Sequence, residues 1–206
     1  MLPAQYPEVQ SYPHLKKLLA DHIDMQFEDV RVLLELPQPG STVGGNFATA
    51  ALLFNIISGA SVAFYNTSMK ALKGKAGGSG ARFRSVLTDH FPMAEITLPE
   101  PTVLQVFYDY SRNPLAHSLG LSGPKNVDVF IAKKPLSAKQ ISELEDSPTL
   151  PKWAREALYD AGVQPGPSYR ISISGLYWGV HRMLQSIFAD SNQATRTDSV
   201  AATLGF

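Results

Sequence analysis

The sequence predicts a mainly α-helical fold, a helical bundle with a small insert that contains two short strands. Apolar side chains recur at helical spacing over most of the 206 residues. Alternating strand patterns are confined to residues 127–132 and 169–174. Hydrophobic residues make up 44% of the chain, which is enough for one core. We therefore expect a single domain over residues 1–206.

The first predicted helix covers residues 11–35. Ser11 lies at or near its cap, and Pro13 suits the first turn of a helix. The apolar residues from Val30 onward either extend this helix or form a separate piece. The prolines and glycine of residues 37–40 predict its end.

The second predicted helix covers residues 46–72, with Asn46 as its N-cap. Its uncharged run, residues 47–65, is long enough to span a membrane. Polar side chains such as Asn55 and Ser61 interrupt that run, and polar groups are costly in mid-membrane. We therefore expect a buried helix, no membrane association and a cytoplasmic protein. The first residues show no secretory signal pattern, which agrees with this expectation.

Two further helices and a glycine-rich loop are predicted before the insert. The loop covers residues 73–80, and a helix over 81–91 ends at Pro92. The next helix covers residues 102–119. Pro114 within it predicts a kink or a new helix start, because proline disfavours helical torsions in the preceding residue.

The insert covers residues 124–174. Its two strands can pair with each other, and Ser137 to Gln140 form a capping box that opens a short helix. A second short helix is predicted over residues 153–161. A last helix follows over 175–190, and the small polar residues of 191–206 predict a flexible tail.

Composition excludes several classes of function. Eighteen basic and eighteen acidic side chains cancel, which argues against a strongly basic nucleic-acid-binding protein. The absence of cysteine excludes disulfides, cysteine-ligated metals and thiol nucleophiles. Only 17% of residues are charged, which suggests that a second subunit covers part of the surface.

Known motifs for phosphate loops, serine hydrolases and zinc proteases are missing from the sequence. The five histidines are scattered and fit no recognised metal-ligand spacing. We therefore expect no metal and no cofactor.

The segment Arg112-Asn113-x-x-x-His117 combines a fixed cation, an amide and an imidazole. Arginine binds phosphate oxygens through a bidentate fork, and histidine moves protons near neutral pH. RNA cleavage by the 2′-hydroxyl needs a base for that hydroxyl and stabilisation of charge on the phosphate oxygens. These residue types meet both needs without a metal ion.

Helix geometry constrains this segment. Asn113 and His117 are four residues apart and share a helix face, whereas Arg112 and His117 lie about 140° apart on an ideal helix. Either the break at Pro114 lets Arg112 turn toward the cleft of His117, or one site draws on two chains.

This segment resembles the Arg-x4–6-His motif of the HEPN superfamily, in its bacterial Arg-Asn-x-x-x-His form. HEPN domains are helical bundles that usually dimerise, and many are metal-independent endoribonucleases of toxin–antitoxin, phage-defence or RNA-processing systems. The resemblance implies that Arg112 stabilises the scissile phosphate, that Asn113 positions it or the histidine, and that His117 is the general base or acid. It also implies a homodimer and leaves room for an antitoxin or another protein partner. The insert departs from the minimal HEPN bundle.

Purely structural roles also fit these residues. Arg112 can pair with Asp109, Asn113 can cap a helix that begins at Pro114, and His117 can interact with a helix C-terminus. His181 is expected to be a histidine at the edge of the core.

A second group of residues is a candidate surface for RNA. A basic stretch without acids can contact the RNA backbone, or it can simply be a solvated helix end. Tyr110 can stack on a base, although packing is the more common role of tyrosine. The candidate RNA-binding residues are Lys70, Lys73, Lys75, Arg82, Arg84 and Tyr110.

The sequence thus predicts a HEPN-like endoribonuclease. The alternative is a catalytically inactive dimeric helical module that binds a partner protein. A third reading is a small-molecule-binding protein whose largest cavity lies away from Arg112, between the bundle and the insert, and is lined by aromatic residues.

Overall fold

The computed structural model describes residues 7–37, 45–65, 78–117, 127–163 and 166–205. These residues form a mainly helical fold with a small sheet, so the predicted fold class is confirmed. Most of the predicted glycine-rich loop, residues 73–77, and the predicted helical residues 66–72 and 118–119 lie outside the described ranges.

The N-terminal helix is longer and less regular than a single α-helix. A 3₁₀ turn over Pro7–Ser11 leads into α1 (Pro13–Leu18), a π-helical segment (Leu19–Asp24) and α2 (Met25–Glu35). Ser11 lies next to the cap, as predicted, because Tyr12 is the N-cap residue of α1, and Tyr12 makes no side-chain cap bond. Asp198, far along the chain, instead accepts hydrogen bonds at 2.8 Å from the backbone N–H groups of His14 and Leu15.

Helix α3 (Asn46–Tyr65) is the central helix of the bundle. It packs against α2, against four later helices and against the sheet. Asn46 is its first residue rather than its cap, and the Asn46 side chain donates to the Ile131 carbonyl at 3.5 Å. Residues 46–64 are long and apolar enough to cross a membrane, and 56% of this apolar stretch is buried inside the protein. This burial is what a core helix requires.

Helix α4 (Ser79–His90) ends before Pro92, as predicted, and a 3₁₀ turn over Met93–Glu95 follows. The next helix comprises α5 (Glu100–Gln105), a π-helical segment (Val106–Arg112) and α6 (Asn113–His117). Aromatic rings join these helices to α3, with ring centres 5.6 Å apart for Phe54 and Phe107. The helix that carries the sequence motif therefore shares one core with α3.

The insert forms a three-stranded sheet, whereas two strands were predicted. Strand β1 (Asp128–Ala132) pairs in parallel with β3 (Ser168–Ser172), and β2 (Leu158–Asp160) pairs antiparallel with the other edge of β3. Helix α7 (Ala138–Asp146) begins at the predicted capping box of Ser137 and Gln140. The predicted helix over residues 153–161 is wrong, because pairing with β3 buries Leu158 completely and overrides local helix propensity.

Two helices complete the chain, α8 (Ile173–Ala189) and α9 (Ser191–Leu204). The predicted flexible tail is therefore wrong. Ala194, Thr197 and Ala201 recur along one side of α9 and are fully buried, and α9 packs against α1 and α8. Small residues allow this close approach, and Asp198 from the same helix caps α1.

Candidate functional site

The helix that carries the sequence motif passes through Pro114 without the predicted break. Its π-helical segment lets the Asn113 N–H bond to the carbonyl of Tyr108, five residues back. The buried Ser111 hydroxyl also donates to the carbonyl of Val106, at 2.7 Å. Because proline donates no backbone hydrogen bond, a wider turn just before it absorbs the mismatch.

Asn113 lies within this helical run and does not cap a new helix. Its backbone torsions are helical, at φ −67° and ψ −49°, whereas an N-cap residue has non-helical torsions. The capping role that the sequence allowed is therefore wrong. The Asn113 side chain is exposed and available to a ligand.

Arg112 is held from two sides. Its Nε donates to the Ser58 hydroxyl of α3 at 3.1 Å, and its guanidinium lies 5.7 Å from the ring centre of Tyr108. In the described part of the chain no carboxylate pairs with Arg112. The pairing with Asp109 that the sequence allowed is wrong, since Asp109 has another partner.

That partner is Arg84 of α4. The Arg84 Nη2 donates to both carboxylate oxygens of Asp109 at 2.8 Å. Both side chains of this pair are well over a third exposed, so water screens it. The Arg84 guanidinium also lies 4.6 Å from the ring centre of Tyr108.

Tyr108 therefore carries two guanidinium groups around one ring. Gly80 makes room for that ring, because a Cβ at residue 80 would lie only 2.8 Å from ring atoms of Tyr108. Two arginines and one carboxylate leave one positive charge. We call Arg84, Tyr108, Asp109 and Arg112 the Tyr108 cluster. Guanidinium groups that are partly exposed beside an aromatic ring can bind phosphate oxygens and stack on a base.

The other predicted site residues have different outcomes. The structure describes the backbone of His117 at the end of α6 but not its side chain, so its proximity to Arg112 stays a prediction. Residues Lys70, Lys73 and Lys75 lie outside the described ranges. Arg82 is half-buried, and its Nε finds no hydrogen-bond partner among the described residues. Tyr110 packs against the core, which supports its structural role.

A second polar cluster is buried between α2, α7 and α8. Glu145 accepts hydrogen bonds from Arg31 Nε, at 2.7 Å, and from the Tyr177 hydroxyl. Glu28, which is exposed, binds Arg31 as well. Burial favours the neutral carboxyl, but the hydrogen bonds from Arg31 and Tyr177 hold the pKa of Glu145 below its ordinary value. Arg31 thus lies between two carboxylates, and we call these four residues the Glu145 cluster.

His181 lies beside this cluster and is fully buried, whereas the sequence suggested the edge of the core. Its ring centre is 4.3 Å from that of Phe27 and 4.8 Å from that of Tyr177. Neither ring nitrogen has a hydrogen-bond partner among the described residues. Burial lowers the pKa of His181 to about 3, although the charge of Glu145 acts in the opposite direction. The imidazole is therefore neutral at physiological pH.

Sequence reasoning gave no functional role to the basic residues of a cavity of about 500 Å³ on the outer face of the sheet. Lys134, Trp153, Arg155, Tyr159 and Arg170 contribute to its walls. The sequence signal was the alternation of β3, which places Arg170 on the face opposite the buried Ile171. The cavity shares no lining residue with the Tyr108 cluster.

Within the described ranges, no group of three or more histidine, aspartate or glutamate side chains is arranged to hold a metal ion. Searches of protein-family models, of curated proteins and of solved structures find no match to this chain.

Proposed function

We propose that this protein is a HEPN-like, metal-independent endoribonuclease that works as a homodimer. The observation that carries the proposal is the arrangement of Arg112, which is held beside Tyr108 without a carboxylate partner in the described chain. An arginine that is oriented but not neutralised is suited to a phosphate. The five-residue spacing of Arg112 and His117 on one helical run adds the proton-transfer group.

The proposed reaction needs no group beyond these side chains. The 2′-oxygen of the RNA attacks phosphorus, and the bond from phosphorus to the 5′-oxygen breaks. His117 takes the proton from the 2′-hydroxyl as general base and, once protonated, delivers a proton to the leaving 5′-oxygen as general acid, so that no proton is gained or lost overall. Arg112 stabilises the charge that develops on the phosphate oxygens, and Asn113 positions the phosphate. The products carry a 2′,3′-cyclic phosphate and a 5′-hydroxyl.

The Tyr108 cluster would bind the RNA next to the scissile bond. A base can stack on Tyr108, and Arg84 can exchange Asp109 for a phosphate because their ion pair is exposed. Lys70, Lys73 and Lys75 precede α4 in the chain and would extend this contact along the RNA backbone.

The proposed dimer has a candidate surface on α2 and α3. Met25 and Val32 are about 60% exposed, and Leu36 and Phe47 are also exposed. Met25 and Val32 are seven residues apart on one helix face, and exposed apolar side chains on one face favour association. A second subunit on this surface would fit the low charged fraction of the chain.

The decisive experiment is cleavage of an RNA by the purified protein in excess EDTA. We compare the wild type with His117→Ala, Arg112→Gln and the control Arg196→Gln, which removes the same charge from exposed α9. We expect the wild type and the control to leave 2′,3′-cyclic phosphates, and both active-site variants to lose at least about 100-fold in rate.

The opposite outcomes are equally informative. Equal cleavage by the wild type and His117→Ala would indicate a contaminating nuclease and remove His117 from the mechanism. No cleavage by any variant, with folded dimers confirmed by light scattering, would contradict the nuclease and favour the inactive interaction module.

A further inference from the structure

The cavity on the outer face of the sheet has the size of a ligand site. Its volume of about 500 Å³ lies within the range of small-molecule pockets. The register of the strands determines which side chains lie on this face of the sheet. Arg170 of β3 is paired with Phe130 of β1 and with Tyr159 of β2, so these side chains share one face. Side chains on the opposite face, such as Ile171, are buried in the helical core.

The charge of this cavity has one sign. Among the described residues, four basic side chains line it and no carboxylate does. The Lys133 ammonium is already bound to the Leu36 carbonyl at 3.0 Å, but Lys134, Arg155 and Arg170 pair with no carboxylate in the described part of the chain. Like charges around one cavity repel each other until an anion enters. The cavity is therefore suited to an anionic ligand.

Aromatic rings of the cavity offer a second kind of contact to a ligand, besides the basic side chains. The Trp153 indole N–H donates to Glu143 Oε2 at 2.9 Å, which fixes the ring, and 38% of Trp153 remains exposed. The Arg155 guanidinium lies 6.0 Å from the ring centre of Tyr159. A flat heterocycle can stack on such a surface. A free phosphate would fill only a small part of a cavity of this size.

We infer that this cavity, which we call the basic pocket, binds a nucleoside phosphate with two or more negative charges. The phosphates would be bound by Lys134, Arg155 and Arg170, and the base would lie against Trp153. Guanidinium forks bind phosphate oxygens bidentately, and the side chains of Ser174 and Gln140 offer polar groups to the sugar. The basic pocket shares no residue with the Tyr108 cluster, so this inference does not depend on the proposed nuclease activity.

Titration calorimetry on the whole protein tests the inference. The probes are ADP, GDP, CDP and UDP, with the free nucleosides and inorganic phosphate as comparisons. We expect at least one diphosphate to bind at least tenfold more tightly than its nucleoside or phosphate. The double variant Arg155→Gln/Arg170→Gln should weaken that binding at least tenfold, whereas Trp153→Leu should weaken nucleotide binding but not phosphate binding.

The control Lys16→Gln/Lys17→Gln removes the same charge from exposed positions on α1 and should bind like the wild type. Circular dichroism confirms that every variant is folded. Absence of binding by all four diphosphates would overturn the inference, and so would wild-type affinity in the double variant. If an RNA oligonucleotide displaced the nucleotide and the double variant lost RNA binding in parallel, the basic pocket would be part of an RNA track and the inference would also fail.

Discussion

Two clusters in this molecule use the same residue types, and their surroundings give them different roles. The Glu145 cluster joins an arginine to a buried and an exposed carboxylate and includes a buried tyrosine, whereas the Tyr108 cluster joins two arginines, one carboxylate and a tyrosine near the surface. Arg31 lies between the exposed Glu28 and the buried Glu145. Near the surface Arg84 binds the carboxylate of Asp109, and Arg112 has no carboxylate partner among the described residues.

The difference follows from solvation. A charge in the core must be paired with an opposite charge and hydrogen-bonded, because an unpaired charge costs much more free energy in a low-dielectric interior than in water. A charge near the surface is partly solvated and can stay unmatched until a ligand arrives. The side chain of Glu145 is 8% exposed, whereas that of Asp109 is 41% exposed. The Glu145 cluster is therefore suited to stabilising the fold, and the Tyr108 cluster is available to an anion.

The largest expected effect tests the structural role of the Glu145 cluster. Glu145→Gln leaves the half-buried Arg31 with only the exposed Glu28, and it weakens the hydrogen bond from Tyr177. We expect the free energy of unfolding to fall by about 3 kcal/mol, because breaking a buried pair strands a charge. Urea denaturation measures this change.

Glu28→Gln is the matched control, since Glu28 binds the same arginine from an exposed position. We expect this variant to lose at most about 1 kcal/mol. If both variants lost the same amount, burial would not be what distinguishes the two clusters.

The second prediction concerns pH. His181 has a pKa of about 3 in the folded protein, below the ordinary value of 6.5 that it has in the unfolded chain. The unfolded chain therefore binds a proton more readily, and stability falls as pH decreases from 6.5 toward 3. Between pH 7 and pH 5 this histidine alone should lower the unfolding free energy by about 2 kcal/mol. Below pH 4.5, the lowered pKa of Glu145 adds a loss in the same direction.

Urea denaturation at pH 7 and pH 5 isolates this effect when the wild type is compared with His181→Leu. The variant should lose less stability on acidification than the wild type, because the titrating group is gone. A matched variant of a half-buried histidine, His90→Leu, should retain most of the pH dependence. An identical pH dependence in the wild type and His181→Leu would show that the core accommodates a charged imidazole.

Local sequence patterns predicted the elements whose stability is local. The capping box at Ser137 and Gln140, the helix that ends before Pro92 and the alternation of strands β1 and β3 were all visible in the sequence, although the parallel orientation of the two strands was not. The predictions failed where contacts with residues distant in the sequence determine the secondary structure. The polar-looking α9 is helical because its small residues pack on α1, and β2 forms because β3 offers it an edge. No local pattern contains these partners.

The candidate sites show the same division. The sequence singled out Arg112 and Arg84 as functional side chains, and the structure brings both to Tyr108. The sequence could not predict that both arginines lie beside the Tyr108 ring, because Arg84 and Tyr108 belong to different helices. These helices approach each other closely at Gly80, where the missing side chain leaves room for the ring. The basic pocket was missed for a similar reason. Its charges come from three separate segments of the insert, and each segment alone is only weakly basic.

The smallest expected change in stability comes from Asp109→Asn. Its partner Arg84 is exposed, so we expect a loss of at most about 1 kcal/mol in the free energy of unfolding. The functional effect should be larger, because the substitution leaves two guanidinium groups at Tyr108 without any carboxylate. We expect RNA affinity to rise several-fold and its dependence on salt concentration to steepen, since one more phosphate contact releases one more counterion.

Fluorescence anisotropy with a labelled RNA at several salt concentrations measures both quantities. Arg84→Gln is the opposite change, and it should lower the affinity and flatten the salt dependence. If Asp109→Asn instead destabilised the fold by several kcal/mol, the Arg84–Asp109 pair would be structural, like the Glu145 cluster. If stability and RNA affinity were both unchanged, Arg84 would not reach the ligand, and Arg112 would be the cluster's one phosphate contact. A rise in RNA affinity in Asp109→Asn would show that Asp109 keeps Arg84 from binding a phosphate. No change would show that Asp109 pairs with an arginine that does not contact the RNA.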